Sequence, residues 1–229
     1  MTKIEQECQR RGITRLCHFT QSRNLAHILG DSQAILSNQH LQSLDLPYNP
    51  TDPNRWDDCE DMICCSLEFP NVDYFHRARK RDHLFKDWVI LLIKPHYLWM
   101  DGTKFCPVNA ATRKGFFIAD GYKSFLGLFS QNTHGLAYNR SPQHLECAPT
   151  NIQAEVLVPH PIHLDSITSI VVADEEQAKR EIRRAFLQGL SIDKNILVVP
   201  EFYKRSDLAQ SIQQGNRVNE SIFYKLNHD

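Results

Sequence analysis

The run Trp88–Ile93 narrows what this chain can fold into more than any other feature. It is apolar at odd and even positions alike, so neither side is left for water, and Lys94 and Pro95 stop it abruptly. This pattern predicts a strand at the centre of a sheet. Partner strands are supplied by 13–20, 62–67, 156–158, 167–172 and 196–199, all rich in β-branched or other apolar residues. Between them lie helical stretches. Residues 174–188 read as an amphipathic helix with Asp174 as cap, Ala178, Ile182, Ala185 and Phe186 as its apolar stripe, and Gly189 past its end. A shorter helix follows the first strand, with Ser22 as N-cap and Gly30 closing it in a left-handed conformation. Residues 206–214 read as a polar helix and 1–12 as a short helix or an arm.

At 229 residues the chain is long enough for one substantial core. Lys and Arg number 26 against 27 Asp and Glu, so any nucleic-acid contact has to come from a local patch. One such patch is visible at 73–81, a helical stretch carrying His76, Arg77, Arg79, Lys80 and Arg81 beside Tyr74 and Phe75. Basic residues interleaved with aromatics grip single strands, although a solvated helix face explains the same pattern. Seven cysteines, an odd number without framework spacing or a signal peptide, fit a reducing cytoplasm. With no C-x-x-C and no H-E-x-x-H, no metal is expected, and the adjacent Cys64 and Cys65 read as small buried thiols. No apolar run is long enough to span a bilayer, so a soluble protein without a membrane partner is expected.

Three places carry the chemistry. In 150–158, Glu155 begins an apolar strand two residues after Gln153, and a pleated backbone would put both on one face; a carboxylate entering such a strand must be solvated, paired or in use. His18 leaves the first strand just before a helix, with Thr20 on the same strand face. The Pro- and Asn-rich stretch 31–60 reads as a long loop, and within it Arg55 suits a pyrophosphate and Trp56 suits stacking. A surface arginine paired with Asp57 or Asp58 accounts for Arg55 equally well. The chain contains no glycine-rich phosphate loop and no G-x-S-x-G elbow, which removes the usual sequence support for ATP hydrolysis and α/β-hydrolase chemistry.

Taken in order, Cys17-His18-Phe19-Thr20, Asn24-Leu25, Ile28-Leu29, the loop from Tyr48-Asn49 to Arg55-Trp56-Asp57, Phe69-Pro70-Asn71, Phe85 to Val89, Leu98-Trp99, Phe105-Cys106, Asn109-Ala110-Ala111 and Gln153 to Val158 resemble the DarT family. These are toxins of toxin–antitoxin pairs that ADP-ribosylate bases of single-stranded DNA using NAD. The resemblance implies an α+β, ADP-ribosyltransferase-like fold with two facing, mostly antiparallel sheets around an NAD cleft and flanking helices. It implies a single domain over 1–229 with a variable insertion at about 112–149, and no metal. It also implies Glu155 and Arg55 as catalytic residues, His18, Thr20, Asn24, Arg55 and Tyr48 as NAD contacts, and an antitoxin as partner. Trp56, Phe75, Arg77, Arg79 and Gln153 are the candidates for holding the DNA. Within the family, Phe69-Pro70-Asn71 and 105–111 are more similar to members that modify guanine than to those that modify thymine. The competing readings are a transferase of the same fold acting on RNA, protein or a small molecule, and a silent NAD or nucleic-acid binding module.

Overall fold

The computed structural model describes residues 1–44, 55–82, 84–133 and 136–224. Thirteen strands are formed among them: β1 Leu16–Gln21, β2 Ala34–Ile35, β3 Met62–Leu67, β4 Trp88–Ile93, β5 Lys104–Cys106, β6 Ala119–Asp120, β7 Asn132–Thr133, β8 Leu136–Asn139, β9 Glu155–Pro159, β10 Ile162–His163, β11 Ile167–Val172, β12 Asn195–Val198 and β13 Ser221–Tyr224. The helices are α1 Lys3–Arg11, α2 Leu25–Leu29, α3 Asn38–Ser43, α4 Val72–Arg81, α5 Gly121–Gly127, α6 Glu175–Leu187 and α7 Arg205–Gln213. Every residue of β4 is buried, as an all-apolar strand requires. It lies between β11 and β1 inside a nine-stranded sheet of order β13-β12-β11-β4-β1-β3-β9-β5-β6. Neighbours are antiparallel except β11 and β12, which run parallel and are joined through α6.

The sheet is pinched in the middle. β1 pairs with β4 over its whole length but with β3 only at Leu16–Leu67 and Cys17–Ser66. β3 in turn pairs with β9 over four residues. Instead of two separate facing sheets, then, the chain forms two blades of one sheet, joined at this short ladder and parting beyond it. The α+β character and the mostly antiparallel pairing agree with the expectation from sequence. Where the blades part, a backbone carbonyl loses its ladder partner and must find another. The His18 ring supplies it, with Nδ1 2.9 Å from the Cys64 carbonyl.

Below the junction the blades are bolted together. Glu68 follows β3 with a left-handed φ of 62° and is fully buried, yet it is well bonded. Its carboxylate accepts from the Thr14 amide at 2.8 Å and from Arg217 at 3.1 Å, and its carbonyl accepts from Arg15 at 2.9 Å. Arg15 also grips Glu220 through two bonds. A buried carboxylate is tolerable only with donors of this kind, and here they come from both ends of the chain.

Four local readings are corrected. Ser22 opens a single 3-10 turn, Ser22–Asn24, and α2 starts only at Leu25. Gly30 closes α2 at φ −98°, not in the left-handed region; glycine is needed because a Cβ there would meet the Ala26 carbonyl oxygen at 2.6 Å. In α6, Ala178 and Ala185 are buried as the stripe predicts, but Phe186 is 79% exposed and Ile182 37%. Their place is taken by Gln177 and Glu181, which hydrogen-bonding partners make buriable: Gln177 donates to the Trp88 carbonyl at 2.8 Å and Glu181 accepts from Arg184 at 2.9 Å. The stretch 31–60 is not all loop, since β2 and α3 lie within it. In 112–149, α5 delivers Phe125 and the chain beyond it Leu128 into the core, Phe125 meeting Phe105 edge-on at 5.3 Å. No helix of the described residues is long and apolar enough to cross a membrane.

Truncating Leu91 on β4 should therefore lower the unfolding free energy by about 2–5 kcal/mol, through lost burial and the cavity left behind. Phe186→Ala, which the apolar stripe alone would rank as a core change, should cost less than about 0.5 kcal/mol. Chemical denaturation of the two variants checks both values.

Candidate active site

The gap between β1 and β3 opens into a cleft of about 1230 Å³, part of it open to solvent. β1 lines it with His18, Phe19 and Thr20, β3 with Cys64 and Ser66, and β9 with Glu155 at its first residue. Over it lies α3, capped by Ser37 and anchored where His40 stacks on His160 at 4.5 Å between ring centroids.

Glu155 is the most constrained group in the cleft. One carboxylate oxygen, Oε1, accepts from the Asn109 side chain at 2.7 Å and from the Ala110 amide at 3.1 Å. Cys64 adds a side-chain hydrogen bond to the same carboxylate. Burial pushes the carboxyl up to about 7; the Ala110 amide opposes the rise, Asp57 adds to it and Arg55 opposes it. A carboxyl poised there is available both as an anion facing a developing positive charge and as a proton acceptor. Gln153 does not share its strand face. The strand begins at Glu155 itself, and Gln153 sits in the preceding turn, held by the Asn151 side chain at 2.8 Å, with its own Oε1 accepting from Arg77 at 2.9 Å.

Arg55 lines the cleft but is committed to the protein. It pairs with Asp57 through two bonds of 3.0 Å, donates to the Met62 carbonyl at 3.0 Å and also bonds the Cys59 carbonyl. With both partners nearly buried, this is no surface pair. The pairing with Asp57 read from sequence is present, and so is the position in the cleft. A guanidinium has five N–H groups, and these four bonds leave one Nη1 hydrogen for a ligand. Asp57 also takes part in a steric fit: Gly115, at φ +78°, packs so closely that a Cβ would stand 2.9 Å from the Asp57 carbonyl oxygen. The residues before it, Arg113 and Lys114, are left-handed as well, so the whole turn is bent toward Asp57.

His18 is neutral, its pKa lowered by burial. Because a carbonyl can only accept, Nδ1 carries the proton and Nε2 remains an acceptor for a hydroxyl. Thr20 and Asn24 are coupled, the Asn24 amide donating to Thr20 Oγ1 at 2.8 Å, and both line the cleft. Trp56 lines it too and is 66% exposed, a ring free to stack. Tyr48 lies outside the described residues.

Two of the DNA candidates belong to the core. Phe75 is 1% exposed and packs on Phe19, Trp88 and Tyr203. Arg79 donates to the Tyr203 carbonyl at 3.1 Å and lies over the Phe75 and Tyr203 rings. Both stand on the inner face of α4. The ring that reaches the cleft is Tyr74, one residue earlier, with Asn71 as the cap of the same helix. Asp57, Cys64, Asn109 and Tyr74 are thus site residues that the sequence reading did not select. The sequence did mark three of them: Asp57 as a partner for Arg55, Asn109 in the Asn-Ala-Ala triplet and Tyr74 beside the basic cluster. Among the described residues no group of three or more His, Cys, Asp or Glu is arranged to hold a metal ion.

With this geometry in hand, the comparisons are specific. The family model described as DarT, ssDNA thymidine ADP-ribosyltransferase, matches residues 17–204. The fold is similar to Thermus sp. 2.9 DarT in complex with NAD+, at TM-score 0.59 and 12% identity over 83% of this chain and 97% of that one. It is also similar to the same protein with ADP-ribosylated ssDNA, at TM-score 0.54 and 11% identity over 84% and 97%. Thermosipho africanus DarTG in complex with ADP-ribose aligns at TM-score 0.54 and 17% identity over 82% of this chain, which spans 50% of that chain's length. Such identities speak for the fold. No curated protein matches the sequence.

Removing the negative neighbour by Asp57→Asn should lower the Glu155 pKa from about 7, read by carboxyl ¹³C NMR titration. The same raised pKa has a stability signature. Between about 4.5, the ordinary value, and about 7 the unfolded chain ionises while the folded carboxyl keeps its proton, so stability falls as pH rises through this window. Glu155→Gln should accordingly raise the Tm at pH 8 and leave it nearly unchanged at pH 4, where both states are protonated.

Proposed function

The chain belongs to the DarT family of ssDNA ADP-ribosyltransferases, and from that premise we propose that it transfers ADP-ribose from NAD to guanine in single-stranded DNA, releasing nicotinamide. The observation that carries this reading is Glu155, pinned through one oxygen by Asn109 and Ala110 and facing the same cleft as His18 and Arg55. The donor set fits NAD. His18 Nε2 accepts from a ribose hydroxyl, the remaining Arg55 hydrogen meets the pyrophosphate, and Thr20 with Asn24 completes the adenosine side.

In the reaction the bond between nicotinamide nitrogen and ribose C1′ breaks, and the electron pair leaves with nicotinamide. Positive charge develops at the ribose, where Glu155 stabilises it in the transition state more than in bound NAD. A base nitrogen then bonds to C1′ and loses a proton, for which Glu155 is a matched acceptor. A single-stranded base reaches the cleft with little unstacking cost. Guanine is our choice of acceptor because Phe69-Pro70-Asn71 and 105–111 resemble the guanine-modifying branch, and these segments supply Asn71, Asn109 and Ala110 to the cleft. Thymine is favoured by one specific observation, the thymidine in the family model's description. An activity of this kind calls for restraint in the host, and DarTG, the name of the Thermosipho neighbour, accords with an antitoxin partner that removes the mark or binds the toxin.

Intact mass of matched guanine-only and thymine-only oligodeoxynucleotides after incubation with the protein and NAD should show one added ADP-ribose on the guanine strand. Glu155→Gln should reduce the rate by about 10²–10³ or more, the usual cost of losing a key electrostatic group. An adduct on thymine alone would reassign the base. NAD consumption without any DNA adduct would point to RNA or protein, and NAD binding without turnover to a silent module.

A further inference from the structure

Helix α4 shows two faces of opposite use. Phe75, Ala78 and Arg79 turn inward, while Tyr74 lines the cleft and Arg77, Lys80 and Arg81 are exposed. Positions 74, 77 and 81 stand at helical spacings of three and four, so they form one stripe. Side-chain geometry agrees: the Arg77 and Arg81 guanidiniums lie 5.6 and 5.5 Å from the Tyr74 ring centroid, and Arg81 donates to the Tyr74 hydroxyl at 3.0 Å. At its cleft end the stripe is tied to the catalytic strand, because Arg77 donates to Gln153, two residues before Glu155.

The ordinary reason for cations on this helix is its C-terminal dipole. That reason covers Arg79, Lys80 and Arg81, but it selects no face of the helix and does not reach Arg77. The acidic residues at the two ends of the helix are engaged elsewhere. Asp73 is paired with Arg205, and Asp82 is taken up by the amides of Leu84 and Phe85 and by Arg23. In a chain of net charge −1, Arg77, Lys80 and Arg81 together make the exposed side of this helix a local positive strip that starts at the cleft. Burial first, and then the charges of Lys80, Arg205 and Arg79, hold the His76 imidazole below its ordinary pKa, as a positive local field requires.

We propose that this stripe of α4 is the track for the single-stranded DNA next to the modified base: Tyr74 stacks a flanking base, and Arg77, Lys80 and Arg81 hold the phosphates that follow. The proposal rests on the functional reading above and adds where the strand runs. Seven residues of helix span about 10 Å, enough to follow a short run of the strand. Charge complementarity and continuity with the cleft both favour a polyanion here, and aromatic stacking without base-edge donors makes the grip tolerant of sequence.

The test compares a trinucleotide acceptor with strands extended on its 5′ or its 3′ side, using the wild type and the double variant Lys80→Ala, Arg81→Ala. Extension on one side should lower the wild-type KM for DNA, and the variant should lose that gain, with a KM about tenfold higher on the long strand and nearly unchanged on the trinucleotide. The slope of log KM against log salt should fall by about 0.7 for each phosphate that is no longer neutralised. Arg81→Glu should deepen the effect, while NAD affinity and Tm stay at wild-type values, which separates the track from a folding defect. An unchanged KM on long strands, or an equal rise on the trinucleotide, overturns the track. A wild type that modifies no DNA at all overturns the functional reading and the track together.

Discussion

Everything in this structure depends on how little β1 and β3 are bonded to one another. Two residue pairs hold them, against six between β1 and β4 and four between β3 and β9. A longer ladder would close the sheet and leave no cleft. A shorter one would let the blades separate, since the junction is the only direct pairing between the two halves among the described strands. The junction survives because its weaknesses are covered by side chains. His18 takes the carbonyl that the parting strands abandon, and Glu68 gathers donors from residues near both chain ends. The histidine is therefore a structural prop and a cleft group at once, kept neutral by burial although its bond to the Cys64 carbonyl favours the charged form.

The same economy governs the carboxylates. Burial disfavours the charge of Glu155, Asp57 disfavours it further, and Arg55 and the Ala110 amide favour it. These opposing influences set the carboxyl where small changes of field alter its protonation. Arg55 can stand beside Glu155 without collapsing onto it because Asp57 and two carbonyls occupy most of its donors. A guanidinium left unpaired there would pull the Glu155 carboxyl down toward the ordinary range and seal the cleft with a salt bridge.

The strands were legible because their periodicity is physical. β3, β4 and β11 begin and end where apolar runs do, and the full burial of β4 follows from having no polar position. Of the site, Glu155, His18, Arg55 and Trp56 all line the cleft, but the roles within α4 were divided wrongly. Composition shows that the helix is basic and aromatic; only packing shows that Phe75 and Arg79 look inward while Tyr74 and Arg77 look out. The apolar stripe of α6 failed for the converse reason. Gln177 and Glu181 become core residues once the Trp88 carbonyl and Arg184 are positioned to receive them, and no spacing in the sequence announces those partners. Asp57 and Asn109 were missed because their work is done on other side chains.

Gly115 sets a steric limit beside the cleft's cation. Its backbone rests against the Asp57 carbonyl with no space for a Cβ, so the left-handed turn 113–115 touches the residue that fixes Arg55. A side chain at position 115 would push on the Asp57 carbonyl and so disturb the pair that holds Arg55. One hydrogen atom in place of a methyl group is what lets Asp57, and through it Arg55, stay where the cleft needs them.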